Sequence, residues 1–192
     1  MNITKNITAF FEKHYPEYNH DGLDELSSAF ISKKIPKDTI ILSESMTDGK
    51  LRFLNKGIVR EYYLSETKER NINFYLQPNF ITDFSSFINA SRTKKNQATV
   101  TDVELFELDR EPFLRLLNSY ECAQNMMDEI FQRLLKVREQ FEYNRMTKSP
   151  EELYQELRIY KPEWLQNIPQ YHIASYLGIT PETLSRIRSR IS

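Results

Sequence analysis

The spacing of apolar positions divides the chain into stretches of different period. Residues 4–14 and 22–32 predict helices. The second carries Leu23, Leu26 and Phe30 at helical spacing, with Gly22 opening it and Asp21 in position to cap it. From about residue 34 to 109 short β-rich runs take over: TIILS (39–43), KLRFL (50–54), IVREYYL (58–64), NINFYL (71–76), QATVT (97–101) and VELFELD (103–109). TDGK at 47–50, NKG at 55–57 and QPN at 77–79 are the turn signals between them. No run alternates with a long helix, which argues against a doubly wound parallel sheet and for a small antiparallel barrel or sandwich.

Residues 110–145 read as one long helix. Phe113, Leu116, Tyr120, Ala123, Met127, Ile130, Leu134, Val137 and Phe141 step by alternating three and four. A seam of this length pairs with another helix, and Tyr120, Met127, Ile130, Leu134, Val137 and Phe141 are the expected contacts of a parallel homodimer. Leu117, Met126 and Leu135 widen the stripe, so the N-terminal part of the helix is also expected to cover the barrel. Ser149, Pro150 and Glu152 form a capping box that starts a new helix at 150. Residues 144–149 are then a hinge, with domains at 1–145 and 146–192.

The tail IPQYHIASYLGITPETLSRIRSRIS carries the sharpest pattern. Ile173, Ala174 and Leu177 face inward on a short helix starting near Pro169, and Gly178 ends it. Thr180 caps a second helix that opens with Pro181 and turns Leu184, Ile187 and Ile191 inward. A small residue, a turn glycine and two locking aliphatics at this spacing are what a DNA-binding helix-turn-helix requires. Glu182, Ser185, Arg186 and Ser189 form the outer face. Arg186 suits a guanine, Glu182 a cytosine amino group, and the two serines let the helix sit deep in a groove. Gln170, Thr183, Arg188 and Arg190 flank that face and suit phosphates. Gln170, Thr180, Glu182, Thr183, Ser185, Arg186, Ser189 and Arg190 make up the candidate DNA-binding set.

Composition narrows the class. The chain has 192 residues, 40% hydrophobic and 28% charged, with no apolar run of membrane length and no secretory leader pattern, so a soluble cytoplasmic protein is expected, without a membrane partner. The single cysteine, Cys122, excludes an internal disulfide and an iron–sulfur cluster held by this chain's own thiolates. His14, His20 and His172 are scattered, and no His-x-His lies on a strand, so no metal or haem site is expected. No nucleophile–base set, P-loop or catalytic carboxylate pair stands out, and an enzyme is not expected. The net charge of −1 hides a division. Residues 1–129 carry 16 basic and 20 acidic groups, whereas residues 130–192 carry 10 and 7, giving −4 and +3. The basic excess falls where phosphates would be met.

IILSE, FLNKGIVREYY, NINFYLQPNFITDFSSF, the long helix and IASYLGITPETLSRIR together resemble the Crp/Fnr family of bacterial transcription regulators, in its Bacteroidetes-type branch. The resemblance implies an α+β protein: an N-terminal antiparallel β-roll like a cyclic-nucleotide-binding domain (a double-stranded β-helix), a dimerisation helix and an all-α helix-turn-helix domain. It implies double-stranded DNA as partner, with RNA polymerase as a further one, and it puts the family's base-reading Glu and Arg on Glu182 and Arg186. Pro181 replaces the Arg that often precedes that Glu, and the chain stops at Ser192 with no β-hairpin wing after the recognition helix. Where cyclic-nucleotide binders carry Gly-Glu for the ribose and Arg-Ser/Thr-Ala for the phosphate, this chain has Thr82-Asp83 and Asn96-Gln97-Ala98. Without the arginine the phosphate lacks a bidentate partner, so cyclic AMP is not expected as effector. Phe74, Asp83, Phe84, Asn96 and Gln97 are the candidate pocket for an unidentified effector. Lys94 and Lys95 read as plain solvated charge. The competing class is a small-molecule-sensing or protein-interaction module with a vestigial helix-turn-helix.

Overall fold

The computed structural model describes residues 3–17, 21–66 and 68–191. Helices α1 (Ile3–His14) and α2 (Leu23–Ser28) precede strands β1 (Ile31–Ile35), β2 (Ile40–Leu42), β3 (Lys50–Lys56), β4 (Ile58–Ser65), β5 (Lys68–Leu76) and β6 (Asn79–Ile81). After α3 (Phe84–Asn89) come β7 (Asn96–Thr99) and β8 (Val103–Asp109), then α4 (Arg110–Ser119), α5 (Glu121–Thr147), α6 (Pro150–Tyr160), α7 (Pro162–Asn167), α8 (Gln170–Leu177) and α9 (Pro181–Ile191). The strands form two four-stranded antiparallel sheets, ordered β1-β8-β3-β6 and β2-β7-β4-β5, a jelly-roll-like arrangement.

The two-residue period of a strand sends neighbouring side chains to opposite faces, and each sheet uses both. Leu54, Val59, Ile81, Val103 and Leu105 fill the space between the sheets. Phe53 and Leu108 turn outward from the first sheet against Ile7, Phe11, Leu23, Phe87, Phe113 and Met126 of the helices. Ile58, Phe74 and Val100 turn outward from the second sheet into a core shared with Tyr154, Leu157, Trp164, Ile173, Leu184 and Ile187. The C-terminal helices are therefore packed on the barrel and not merely tethered to it.

Several expectations need correction. The helix expected over 22–32 stops at Ser28, and residues 31–35 pair with β8 as a strand. Asp21 does not cap α2. The cap is Gly22, at φ +83°, a conformation that side chains rarely adopt. The turn signal at 77–79 holds only in part: Gln77-Pro78 is a cis peptide, but Asn79 already begins β6. The single helix over 110–145 is two, because Tyr120 has an extended backbone (φ −130°, ψ 116°). Its ring lies against Gly22, where a Cβ would come within 2.7 Å of it, and its hydroxyl donates to Glu25 at 2.9 Å. This tertiary contact outweighs the helical periodicity. The break expected over 144–149 is also shorter, since α5 runs to Thr147 and only Lys148 and Ser149 separate it from α6. The capping box is formed as expected: Ser149 Oγ accepts from Glu152 N at 3.3 Å, while Ser149 N donates to Glu152 Oε2 at 2.8 Å.

Candidate functional site

The C-terminal helices present the first candidate surface. Gly178 ends α8 at φ +76°, and its N–H and that of Ile179 return to carbonyls of that helix. Thr180 Oγ1 then accepts from Thr183 N at 3.3 Å, starting α9. Ala174, Leu184 and Ile187 are buried where the two helices meet. Glu182, Ser185, Arg186, Arg188, Ser189 and Arg190 are all exposed, as are Gln170 at the start of α8 and Thr180, with Thr183 half-exposed. The candidate set is thus solvent-facing, Thr183 only in part. The Glu182 carboxyl lies below its ordinary pKa because the Thr180 hydroxyl, its own backbone N–H and Arg186 favour the ionised form. Arg186 Nη2 reaches Thr183 Oγ1 at 3.4 Å, and Arg190 lies 4.0 Å from Glu151 with both groups largely in solvent, a weak tie.

The inner face of α8 is fixed to the barrel by residues that sequence reasoning passes over. Ser175 Oγ donates to Glu69 O at 2.7 Å and accepts from Asn71 N at 3.1 Å, so it satisfies backbone groups of edge strand β5. The fully buried Asn71 amide donates to His172 O at 3.2 Å and lies 3.3 Å from His172 Nδ1. Burial first, then the nearby Arg60, lowers the His172 pKa to about 4, so the ring is neutral in the fold. Trp164 packs edge-on against Phe74 at 4.9 Å and against Tyr176 at 5.2 Å. Arg145 Nη1 donates to Tyr176 O at 2.7 Å. Ser175 and Asn71 are 104 residues apart, and nothing local signals their contact.

The second candidate is the polar site inside the barrel. Its members come from paired strands and the connections beside them. Glu61 on β4 lies in register with Gln97 on β7. Glu61 Oε2 accepts from Gln97 Nε2 at 2.9 Å and from the Tyr75 hydroxyl at 3.3 Å. Desolvation, then the Glu61 charge, holds the Tyr75 phenol well above its ordinary pKa, which keeps it a donor. Lys95 Nζ lies 3.2 Å from Glu61 Oε1 and 3.6 Å from Asp83 Oδ1, and Asp83 Oδ2 accepts from Thr93 Oγ1 at 2.5 Å. Asp48 orders this corner from behind. Its carboxylate, wholly buried, accepts from Arg52 Nη1 at 3.0 Å, Thr82 Oγ1 at 3.0 Å and Asp83 N at 2.8 Å.

Of the five residues expected in an effector pocket, Asp83 and Gln97 meet here. Asn96 does not contribute in the same way, since its Oδ1 accepts from Glu44 N at 3.0 Å and so fastens a loop. Phe74 is on the opposite face of its strand, in the core shared with the C-terminal helices, because odd and even positions of β5 point apart. Phe84 stacks on Phe131 of α5, with ring centroids 5.6 Å apart. Lys94 is exposed as expected, whereas Lys95 is not plain solvated charge.

The seam residues of the long helix divide between packing within the chain and exposure. Met127 and Ile130 pack against the cluster that α5 shares with the first sheet, and Phe141 meets the Tyr176 ring at 5.8 Å. Tyr120 lies outside α5, as described. Leu134 and Val137 stand out at 46% and 66% exposure beside Phe131 and Leu135, leaving an apolar patch in mid-helix. His14 stacks on Phe10, His172 is the buried ring above, and His20 lies outside the described residues. Among the described residues no cluster of three or more His, Cys, Asp or Glu suits a metal, and no helix is long and apolar enough to cross a membrane.

Residues 32–120 match the cyclic nucleotide-binding domain family. No curated protein matches the chain. Among solved structures, the chain is similar to the catabolite activator protein of Thermus thermophilus (20% identity, TM-score 0.59, covering 94% of this chain and 85% of that one). It is similar to the c-di-GMP responsive global regulator CLP of Xanthomonas campestris (15% identity, TM-score 0.69, covering 90% and 91%). It is also similar to cAMP-bound PfPKA-R (141–441), at 18% identity and TM-score 0.53, covering 59% of this chain but only 41% of that one. At these identities the likeness is one of fold.

Proposed function

We propose that the protein is a sequence-specific DNA-binding transcription regulator of the Crp/Fnr type, working in the cytoplasm as a homodimer and not controlled by cyclic AMP. The observation that carries this is the division of α9, with Leu184 and Ile187 buried against α8 while Glu182, Ser185, Arg186 and Ser189 all face outward behind a capped glycine turn. Arg186 reads a guanine by its two-pronged guanidinium, Glu182 accepts from a cytosine, and Arg188, Arg190 and Gln170 take phosphates. The likeness in fold to a catabolite activator protein and to a global regulator supports this reading. So does the basic excess of residues 130–192.

Pairing through Leu134, Val137 and their exposed neighbours on α5 gives a two-fold dimer. Its recognition helices read a pseudo-palindrome with half-sites about one helical turn (~34 Å) apart. The inner barrel site supports independence from cyclic AMP, because two carboxylates face one ammonium where an anionic phosphate would need uncompensated cations. Selection from a random DNA pool by the purified protein is expected to enrich such a palindrome. Arg186→Ala should then weaken the selected site by roughly 1–3 kcal/mol and relax preference at one base pair per half-site. No enrichment, or full discrimination retained by the variant in a gel-shift competition, refutes the assignment.

A further inference from the structure

We infer that the inner site of the barrel is an ammonium site, chemically the inverse of a phosphate site, and that Lys95 is its built-in occupant. This rests on reading the barrel as an effector domain, though not on DNA binding. Glu61 and Asp83 are 3% and 6% exposed, and both carboxylates face the Lys95 ammonium, at 3.2 and 3.6 Å. The remaining acceptor positions are taken by neutral donors: Gln97 Nε2 and the Tyr75 hydroxyl donate to Glu61, and the Thr93 hydroxyl donates to Asp83. Lys95 is thus the cation shared by two buried acidic side chains, which would otherwise lack a charged partner at this point.

Burial alone would lower the Lys95 pKa. Glu61 and Asp83 outweigh it, and the group stands above its ordinary value, so the cation is held in its charged form. The Gln97 head is fully buried, with Nε2 on Glu61 and no partner at Oε1; the neighbouring Asn96, 6% exposed, likewise keeps Nδ2 unpaired. Among the described residues, the two carboxylates of the site take hydrogen bonds only from N–H and O–H donors, Lys95 being the one cation among them.

The consequence is a tethered ligand. The lysine does from inside what an effector would do from outside, fastening β4 to the start of α3 and keeping the barrel in one arrangement. Emptying the site should turn it into a receptor for small alkylammonium ions.

The test is thermal unfolding of the full chain. Lys95→Ala is expected to lower Tm by roughly 5–15 °C, as a buried pair left with one partner does. Propylammonium chloride should restore part of that loss in the variant while leaving the unaltered protein unmoved. Sodium chloride at equal ionic strength and tetramethylammonium, which has no N–H, should not restore it. Should Lys95→Ala fail to fold, Lys95→Met combined with Glu61→Gln and Asp83→Asn decides the matter instead. Neutralising the carboxylates should recover stability lost in Lys95→Met alone, and no recovery counts against the site. A Lys95 variant as stable as the parent, or rescue by sodium as good as by propylammonium, overturns the inference. Because the readout involves no DNA, its failure is distinct from a failure to select a DNA site. Stabilisation of the unaltered protein by cyclic AMP would overturn the inference and the cyclic-AMP-independent reading together.

Discussion

Phe74→Ala tests whether the C-terminal helices and the barrel share one core. Phe74 lies on β5, 3% exposed, with its ring edge-on to Trp164 at 4.9 Å and near Tyr176 and His172 at 6.1 and 6.4 Å. Truncating a buried phenylalanine costs roughly 3–5 kcal/mol through lost transfer energy and the cavity left behind. At this chain length about 2–4 °C of Tm is lost per kcal/mol, so a fall of roughly 6–20 °C is expected. Trp164 is the only tryptophan in the chain, so its fluorescence reports the shared core directly. Far-ultraviolet circular dichroism reports the whole chain. If the two layers unfold as one unit, both signals move together and by the same amount. A Tm loss below about 2 °C would mean that Phe74 faces solvent and the helices do not dock there. A Trp164 transition that separates from the far-ultraviolet one in the parent protein would refute the single cooperative core.

Three further outcomes follow from individual contacts. Gly57 sits at φ +101°, and a Cβ there would lie only 2.5 Å from the Asp102 carbonyl oxygen, so Gly57→Ala should destabilise by about 1–3 kcal/mol or more in urea titration; an unchanged midpoint would contradict this. His172 is neutral in the fold with a pKa of about 4, against 6.5 when unfolded. The unfolded chain thus binds the extra proton between pH 6.5 and 4, and stability falls as pH drops through that window. His172→Gln should remove up to about 1.4 kcal/mol per pH unit from that slope, while Arg60, Glu69, Asp38 and Lys37 around the ring are unchanged; equal slopes in both proteins count against the burial of a neutral ring. Replacing Leu134 and Val137 together by Asp should shift the sedimenting species from dimer to monomer with little loss of Tm, since both side chains are exposed in the single chain. A dimer that survives the double change places the interface elsewhere.

Much of the chain is legible in advance because local chemistry governs it. Six β-rich runs are strands, the capping box at Ser149 forms, and Gly178 and Thr180 divide α8 from α9 where their conformational and hydrogen-bonding preferences require. The strands at 31–35 and 79–81 escape sequence reading because an edge strand of mostly exposed residues and a three-residue strand after a cis-proline carry little periodic signal. The continuous seam over 110–145 misleads at Tyr120, since periodicity records apolar spacing and says nothing of a distant glycine, Gly22, that admits the ring.

The antiparallel class, six of the strands and the outward face of α9 are written in the linear chain. They depend on neighbours within a few residues, where period, caps and side-chain charge act directly. Long-range packing sets the rest: Lys95 lies between Glu61 and Asp83, Asp48 stands behind them, and Ser175, Asn71 and His172 fasten α8 to β5. Packing also turns Phe74 away from the inner site. These partners lie as far as 104 residues apart, and sheet register and helix docking bring them together. A lysine that reads as solvated charge becomes a largely buried counter-ion once folding removes most of its water and supplies two carboxylates in exchange.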